Sequence, residues 1–156
     1  MVSAILVSRA AGRQTFFWNI DANVGLASPN KVDDVQLVQL GYFVWSKNDP
    51  GLTPDKKAAF AAVKVGVPCT GDEDDTLVQA IRAHQKDRGG TQDGHVSTIQ
   101  ASNGLYHDSG GERHGFMLIA IVNRIFDALP KDFPRIDKHP SCPPALKDAV
   151  LKVCVR

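Results

Sequence analysis

Apolar and polar residues alternate with two different periods along the chain. Residues 2–8 and 14–20 are rich in β-prone side chains, and the short polar connection between them contains a glycine, so the pattern predicts a β-hairpin. The segment GLASPNKVDDVQLVQLGYFVW instead carries apolar residues at helical spacing on two faces, which predicts a central helix. Ser28 or Asn30 is expected to cap this helix, because either side chain can accept a hydrogen bond from its first turn.

Two further helices are predicted in the middle of the chain. Thr53 followed by Pro54 marks the start of a short helix over residues 55–65, because the hydroxyl can cap the helix and proline is tolerated in its first turn. The segment TGDEDDTLVQAIRAHQKDRGG predicts the next helix, with Thr70 or Asp72 as its cap and a glycine pair at its end. Because His84 lies on the apolar face of this helix, we expect a core histidine rather than a catalytic base. That face consists of Leu77, Ala80, Ile81 and His84.

The second half of the chain predicts one more hairpin and two more helices. Asn103-Gly104 is the preferred pair for a type I′ turn, so the segment HVSTIQASNGLYHD is interpreted as a hairpin. Residues 115–129 carry apolar side chains at helical spacing, and a proline-bearing connector then leads to a last helix. Together the elements predict a mainly α-helical α+β fold, formed by a single domain over residues 1–156. The inward face of the last helix is expected to hold Leu146, Ala149, Val150, Val153 and Cys154.

A short motif spans the helix that ends near residue 88 and the loop after it. Ala80 and Ile81 precede Gln85 at the spacing AVxxFQ, a glycine step follows, and Asp93 and Gly94 begin the sequence DGHVS. This order resembles the peptidoglycan-binding domain family, whose members carry an acidic helix start, an AVxxFQ pattern, a glycine-bearing loop and DGxVG or DGxVS. The Asp-Gly pair suits a sharp reversal, because glycine tolerates the required backbone angles and aspartate can bond to nearby N–H groups.

The resemblance has consequences for the fold. It implies a small three-helix module over roughly residues 30–97, within a core of about 30–129 to which the N-terminal hairpin and the C-terminal helix are appended. The upstream sequence DVQLVQ looks like the first helix of the family, and the helix over residues 55–65 is then an insertion. His84 stands where the family has an aromatic residue. The chain also contains a short internal sequence similarity: in both KVDDVQLVQL and DEDDTLVQAI, acidic residues precede the letters LVQ.

Composition and charge exclude several classes of partner. The chain has 156 residues, a formal net charge of +1 and scattered basic residues, so no nucleic-acid partner is expected. The longest apolar block, residues 116–122, is too short to span a bilayer, so no membrane insertion is expected. Because no basic leader precedes the first apolar run, we expect no signal peptide and a protein that is cytoplasmic or exported by a dedicated secretion system.

The reactive side chains form no recognisable catalytic or metal-binding motif. The three cysteines leave two alternatives open for Cys142 and Cys154, a disulfide across the last helix or free thiols. His95, His107 and His114 lie in one loop-rich region with Asp93, Asp108 and Glu112, but their spacing matches no known metal motif. No nucleophile elbow, phosphate-binding loop or dinucleotide fingerprint occurs either. We therefore expect no metal, no cofactor and no catalytic residues.

The loop DSGGERHG and the strand before it are the candidate ligand-binding region. Tyr106, His107, Arg113 and His114 offer aromatic faces and charged hydrogen-bond donors, a mixture that suits sugars or peptide stems. The alternative is an ordinary connecting loop.

Three functions follow from these observations. The family resemblance implies a non-catalytic binding module for peptidoglycan, its peptide stem or another cell-wall-associated target. The second hypothesis is a protein-interaction protein on the same helical scaffold, such as an accessory, immunity or adaptor protein of a bacterial secretion system. A small metal-dependent hydrolase is the least favoured, and the sequence does not indicate an oligomeric state.

Overall fold

The computed structural model describes residues 1–9, 12–108 and 115–154. These residues form five α-helices, five short strands and one 3-10 helix, in a mixed α+β fold. The strands are β1 (Ser3–Ser8), β2 (Gln14–Asn19), β3 (Val24–Gly25), β4 (His95–Val96) and β5 (Leu105–His107). The helices are α1 (Val32–Asn48), α2 (Pro54–Ala61), α3 (Thr76–Arg88), α4 (Met117–Ala128) and α5 (Pro144–Cys154), and the 3-10 helix is Ile136–Lys138.

The first predicted hairpin is confirmed. β1 and β2 pair antiparallel, with Leu6 opposite Phe16 and Ile5 opposite Phe17. β5 is the third strand of this sheet and pairs in parallel with β1. β1 is therefore the central strand, and the strand order is β2-β1-β5.

The second predicted hairpin is wrong, although its turn is present. Asn103 and Gly104 both have positive φ angles, +51° and +74°, and backbone hydrogen bonds between Ser102 and Leu105 close the turn. The strands of the segment belong to different sheets, because β5 adds to β1 whereas β4 pairs with β3 in a second, two-stranded sheet. The edge of β1 offers β5 a longer partner than the segment could offer itself, so tertiary pairing overrides the local preference.

Helix α1 is the centre of the core. Most of its residues are buried, on every side of the helix, as expected for a helix that is covered by other elements all round. α2, α4 and α5 pack against it. The approach of α4 is close, because a Cβ added at Gly41 would lie 2.2 Å from Cγ2 of Ile121. Gly41 therefore lets two helices meet where a larger side chain would hold them apart.

The expected cap of α1 is wrong, because neither Ser28 nor Asn30 occupies that position. Lys31 occupies the capping position of α1 and makes no side-chain hydrogen bond there. Ser28 and Asn30 lie before it, and the Asn30 side chain instead bonds the N–H and the C=O of Gly25. The requirements of the preceding turn thus determine the role of Asn30.

The other two helix starts differ in how well the sequence predicts them. The cap of α2 is confirmed, because Oγ1 of Thr53 accepts a hydrogen bond from the N–H of Lys56. In α3, Asp75 rather than Thr70 or Asp72 is the cap, and its Oδ1 accepts from the N–H of Leu77 at 2.8 Å. The residues before it form a turn, which the Asp75 carboxylate stabilises by accepting from the N–H of Thr70.

A buried carboxylate joins the first sheet to α1. Asp34 is fully buried, and its two oxygens accept hydrogen bonds from the N–H of Asp21 at 3.1 Å and of Ala22 at 3.0 Å. Burial raises the pKa of Asp34, and the two N–H donors work in the opposite direction. The side chain therefore anchors the turn after β2 to the first turn of α1.

Two further sequence predictions concern the cysteines and a membrane-spanning helix. Cys69, Cys142 and Cys154 are free, so the second of the two alternatives for Cys142 and Cys154 is the one present. No helix within the described residues is both long enough and apolar enough to cross a membrane.

Candidate functional site

The Asp93-Gly94 turn is held by one buried side-chain amide. Oε1 of Gln85 accepts a hydrogen bond from the N–H of Gly94 at 2.9 Å. Nε2 of Gln85 donates to Oδ1 of Asp93 at 2.8 Å and to the carbonyl of His95 at 3.2 Å. Gly94 has a φ of +78°, which favours glycine at this position. The end of α3 and the start of β4 are therefore fixed to one another by the motif residues themselves.

A second glutamine makes the same arrangement elsewhere. Oε1 of Gln39 accepts from the N–H of Gly66 at 3.0 Å, and Nε2 donates to the carbonyl of Val67 at 2.6 Å. Gly66 also has a positive φ, of +91°. In both cases one amide bonds the N–H of a glycine and the carbonyl of the next residue. The structural counterpart of Gln39 is thus Gln85. The internal similarity of the two LVQ sequences would instead align Gln39 with Gln79.

A polar cleft lies beside the Asp93-Gly94 turn, and we call it the Asp-Gly cleft. It has a volume of about 290 Å³ and runs between the end of α3 with its following loop and the segment that enters α4. Ala80 and Ile81 do not line the cleft but are buried in the core, where they have a structural role. The side chains that line the cleft include those of Arg88, Thr91, Asp93, His95, Ser97 and Phe116.

The two charged residues of the turn form an ion pair when His95 is protonated. Nε2 of His95 lies 3.4 Å from Oδ2 of Asp93. Partial burial acts to raise the pKa of Asp93, but the hydrogen bonds from Gln85 and from the His95 N–H outweigh it and lower that pKa. Asp93 is therefore a carboxylate at neutral pH, and the cleft presents an acceptor next to an imidazole.

Of the four predicted ligand-binding residues, the structure describes Tyr106 and His107, and it places them on opposite faces of β5. Tyr106 is half-buried on β5, and its ring meets that of Phe116, a cleft residue, edge to face at 5.4 Å. His107 is exposed and points to the other face of the strand, because successive strand residues alternate. Arg113 and His114 lie outside the described residues.

Arg88 belongs to the site but to none of the predicted sets of site residues. Its position near the end of α3 suits a helix dipole, so the sequence carries no signal for another role. In the structure Arg88 lines the cleft, is half-buried, and donates from Nη2 to the carbonyl of Gly115. Burial lowers the pKa of its guanidinium, which nevertheless stays charged at neutral pH.

A second cavity, which we call the basic pocket, shares Arg88 with the cleft. It has a volume of about 170 Å³ and lies between α1, α2, the end of α3 and α4. Cζ of Arg124 lies 4.4 Å from the centre of the Trp45 ring, and Nζ of Lys56 lies 5.2 Å from it. Both cations therefore stack on one indole, a favourable arrangement for the positive charge. Asp49, His84, Asp87 and Ala120 complete the wall.

His84 is a core residue, as predicted. It is 4% exposed, its Nδ1 lies 3.0 Å from the hydroxyl of Tyr42, and its ring meets that of Trp45 edge to face. Burial, together with the nearby cations Lys56 and Arg88, lowers the pKa of His84 to about 3. The imidazole is therefore neutral, and its environment does not suit a general base at physiological pH.

Within the described ranges, no group of three or more His, Cys, Asp or Glu side chains lies close enough to hold a metal ion. Of the six residues considered for a metal site, Glu112 and His114 lie outside those ranges.

Comparison with known proteins gives no further guide, because no protein family, curated protein or solved structure matches this chain.

Proposed function

We propose that the protein is a non-catalytic binding module for peptidoglycan, its peptide stem or another cell-wall-associated target, with the Asp-Gly cleft as its ligand site. The observation that carries the proposal is the Gln85 amide, which holds the Asp93-Gly94 turn rigidly against the wall of a cleft. The motif that resembles the peptidoglycan-binding domain family thus supplies part of the cleft lining, namely Gln85, Asp93, His95 and Ser97.

The chemistry of the cleft suits such a ligand. Thr91 and Ser97 supply hydroxyls, Asp93 supplies an acceptor, and Phe116 supplies an aromatic surface. Sugars and peptide stems present hydroxyls, amides and small apolar faces, which these groups can bind. A volume of about 290 Å³ is close to the lower limit of small-ligand sites, so one sugar ring or a short peptide fits the cleft better than an extended glycan.

The direct test is co-sedimentation with insoluble peptidoglycan sacculi. His95→Ala/Ser97→Ala removes two cleft side chains and leaves the backbone carbonyl that Gln85 binds. Tyr106→Ala/Arg113→Ala tests the residues chosen from sequence. Lys57→Ala, an exposed change on α2 that lines neither cavity, is the matched control. Saturable binding that is lost in the cleft variant and kept in the control supports the proposal, whereas no saturable binding by the unmodified protein contradicts it.

A second candidate function, a protein-interaction accessory, is favoured by one observation. Leu6 and Phe16 lie directly opposite each other on β1 and β2 and are 39% and 40% exposed. Paired apolar side chains on an open sheet face suit a protein contact. Loss of a co-purifying protein from a Leu6→Lys/Phe16→Lys variant, with no sacculus binding by either form, would favour this function over the first.

A further inference from the structure

The guanidinium of Arg88 stands at the junction of two cavities. It lines both the Asp-Gly cleft and the basic pocket. Its hydrogen-bond acceptor is the carbonyl of Gly115, which is uncharged, and no carboxylate of the described residues forms an ion pair with it. A half-buried cation without a counter-charge is unusual, because burial removes water that would otherwise solvate it.

The two carboxylates that line the basic pocket have partners other than Arg88. Lys56, Arg88 and Arg124 line the basic pocket together with two carboxylates. One of these, Asp87, lies 2.9 Å from Nζ of Lys56. The other, Asp49, accepts hydrogen bonds from the indole of Trp45 at 3.0 Å and from the N–H of Gly51 at 2.8 Å. Both carboxylates are thus already bonded away from Arg88.

We propose that Arg88 binds an oxyanion, a carboxylate or a phosphate, carried by the ligand of the Asp-Gly cleft. A guanidinium presents a planar set of donors that matches the two oxygens of a carboxylate or phosphate. Such a group would give the half-buried guanidinium of Arg88 a counter-charge, which no carboxylate of the described residues supplies. Its identification as the terminal carboxylate of a peptide stem rests on the proposed function, whereas the oxyanion site itself does not.

The test compares three probes by isothermal titration calorimetry with the full chain. The first is an acetylated L-lysyl-D-alanyl-D-alanine peptide with a free carboxylate, the second is the same peptide as its C-terminal amide, and the third is inorganic phosphate. The variants are Arg88→Gln, which removes the charge, Arg88→Lys, which keeps it without the planar donors, and the control Lys57→Ala. Thermal unfolding of each variant verifies that it is folded, and the comparison of acid with amide needs no variant at all.

The expected result is that the acid binds at least about tenfold more tightly than the amide, that Arg88→Gln abolishes this preference and that Lys57→Ala retains it. Phosphate binding that depends on Arg88, with neither peptide bound and no sacculus binding, supports the oxyanion site and contradicts the proposed function. Sacculus binding with equal affinity for acid and amide, and no phosphate binding, leaves the proposed function standing and overturns this inference. Equal binding of all probes by Arg88→Gln and the unmodified protein overturns it as well.

Discussion

The hydroxyl of Tyr42 lies 3.0 Å from Nδ1 of His84, and both side chains are buried, at 0% and 4% exposure. One residue comes from the centre of α1 and the other from the last turns of α3, so this polar contact crosses the core. The imidazole is also surrounded by the rings of Trp45 and Phe60. Protonation of His84 would place a charge in this apolar environment.

The first prediction concerns acid stability. The pKa of His84 is lowered from 6.5 to about 3 in the folded protein. Between pH 6.5 and pH 3 the unfolded chain binds a proton at His84 that the folded chain does not bind. Neutral His84 therefore contributes fully to the free energy of unfolding above pH 6.5, and this contribution is lost as the pH falls towards 3. His84→Phe should remove this pH dependence. The decrease in the free energy of unfolding from pH 7 to pH 5 should then be about 2 kcal/mol smaller than in the unmodified protein.

Urea unfolding at pH 7 and pH 5 measures this difference. His107→Gln, a change at an exposed histidine, is the control and should retain the pH dependence of the unmodified protein. An unchanged pH dependence in His84→Phe would show that His84 does not resist protonation.

The second prediction concerns the same contact at constant pH. Tyr42→Phe leaves Nδ1 of His84 without its hydroxyl partner, and His84→Phe leaves the hydroxyl without the imidazole. A double-mutant cycle at pH 7 should give a coupling energy of about 1 kcal/mol, typical of a hydrogen bond in a protein core. Strictly additive effects would mean that the two side chains contribute independently.

The third prediction concerns the Gln85 amide. Gln85→Leu preserves the approximate size of the side chain and removes the acceptor of the Gly94 N–H, which should cost about 1–3 kcal/mol of unfolding free energy. Amide hydrogen exchange at Gly94 should accelerate, because its N–H loses that partner. Gln100→Leu, at an exposed glutamine, is the control and should leave this exchange unchanged. Protection of Gly94 that survives in Gln85→Leu would contradict the role given to the amide.

The equivalence of the two glutamines gives a matched test. Gln39→Leu should accelerate exchange at Gly66, whose N–H it binds, and leave Gly94 protected. Gln85→Leu should show the reverse pattern. A shared pattern in both variants would indicate that global unfolding, rather than the two separate amides, controls the exchange.

The fourth prediction concerns the contact between α1 and α4. Alanine normally stabilises a helix by about 1 kcal/mol relative to glycine. In Gly41→Ala, however, the new Cβ would lie 2.2 Å from Cγ2 and 2.9 Å from the backbone oxygen of Ile121. Overpacking should therefore dominate and lower the unfolding free energy by about 1–3 kcal/mol. Thermal denaturation measures the effect, with Asn48→Ala at the exposed end of α1 as the control, and a rise in stability would contradict the close approach.

The fifth prediction concerns the buried carboxylate of Asp34. Asp34→Asn keeps one acceptor oxygen but turns an NH₂ group towards the N–H donors of Asp21 and Ala22. We expect a loss of about 1–3 kcal/mol in chemical denaturation. Asp55→Asn, in the exposed first turn of α2, should cost much less, and equal losses in the two variants would rule out an anchoring role for Asp34.

Local rules predict most of the helices and one hairpin. The stripe Leu77, Ala80, Ile81 and His84 is buried, and Thr53 caps α2, because both depend on the spacing of residues that are close in sequence. Where several polar residues compete for one helix start, the sequence predicts poorly, as at Asp75, because the choice depends on the path of the preceding turn.

The motif residues of the candidate site are visible in the sequence, but the cavity they line is not. Gln85, Asp93 and Gly94 lie within a short segment, so their resemblance to a family motif draws attention to the turn. Arg88 and Phe116 acquire their roles only when α3 and the start of α4 meet across the cleft. A spacing rule cannot detect two segments that approach through the core.

The sequence by itself determined which segments form helices, where the Asp93-Gly94 and Asn103-Gly104 turns lie and which helix faces are apolar, because these properties arise from neighbours along the chain. The tertiary structure alone decided that β5 joins β1 and that Gln39 and Gln85 make equivalent contacts. It also decided that Arg88 stands between two cavities. The physical reason is that each of these depends on which distant segments cover one another's apolar surfaces, and no local pattern specifies that choice.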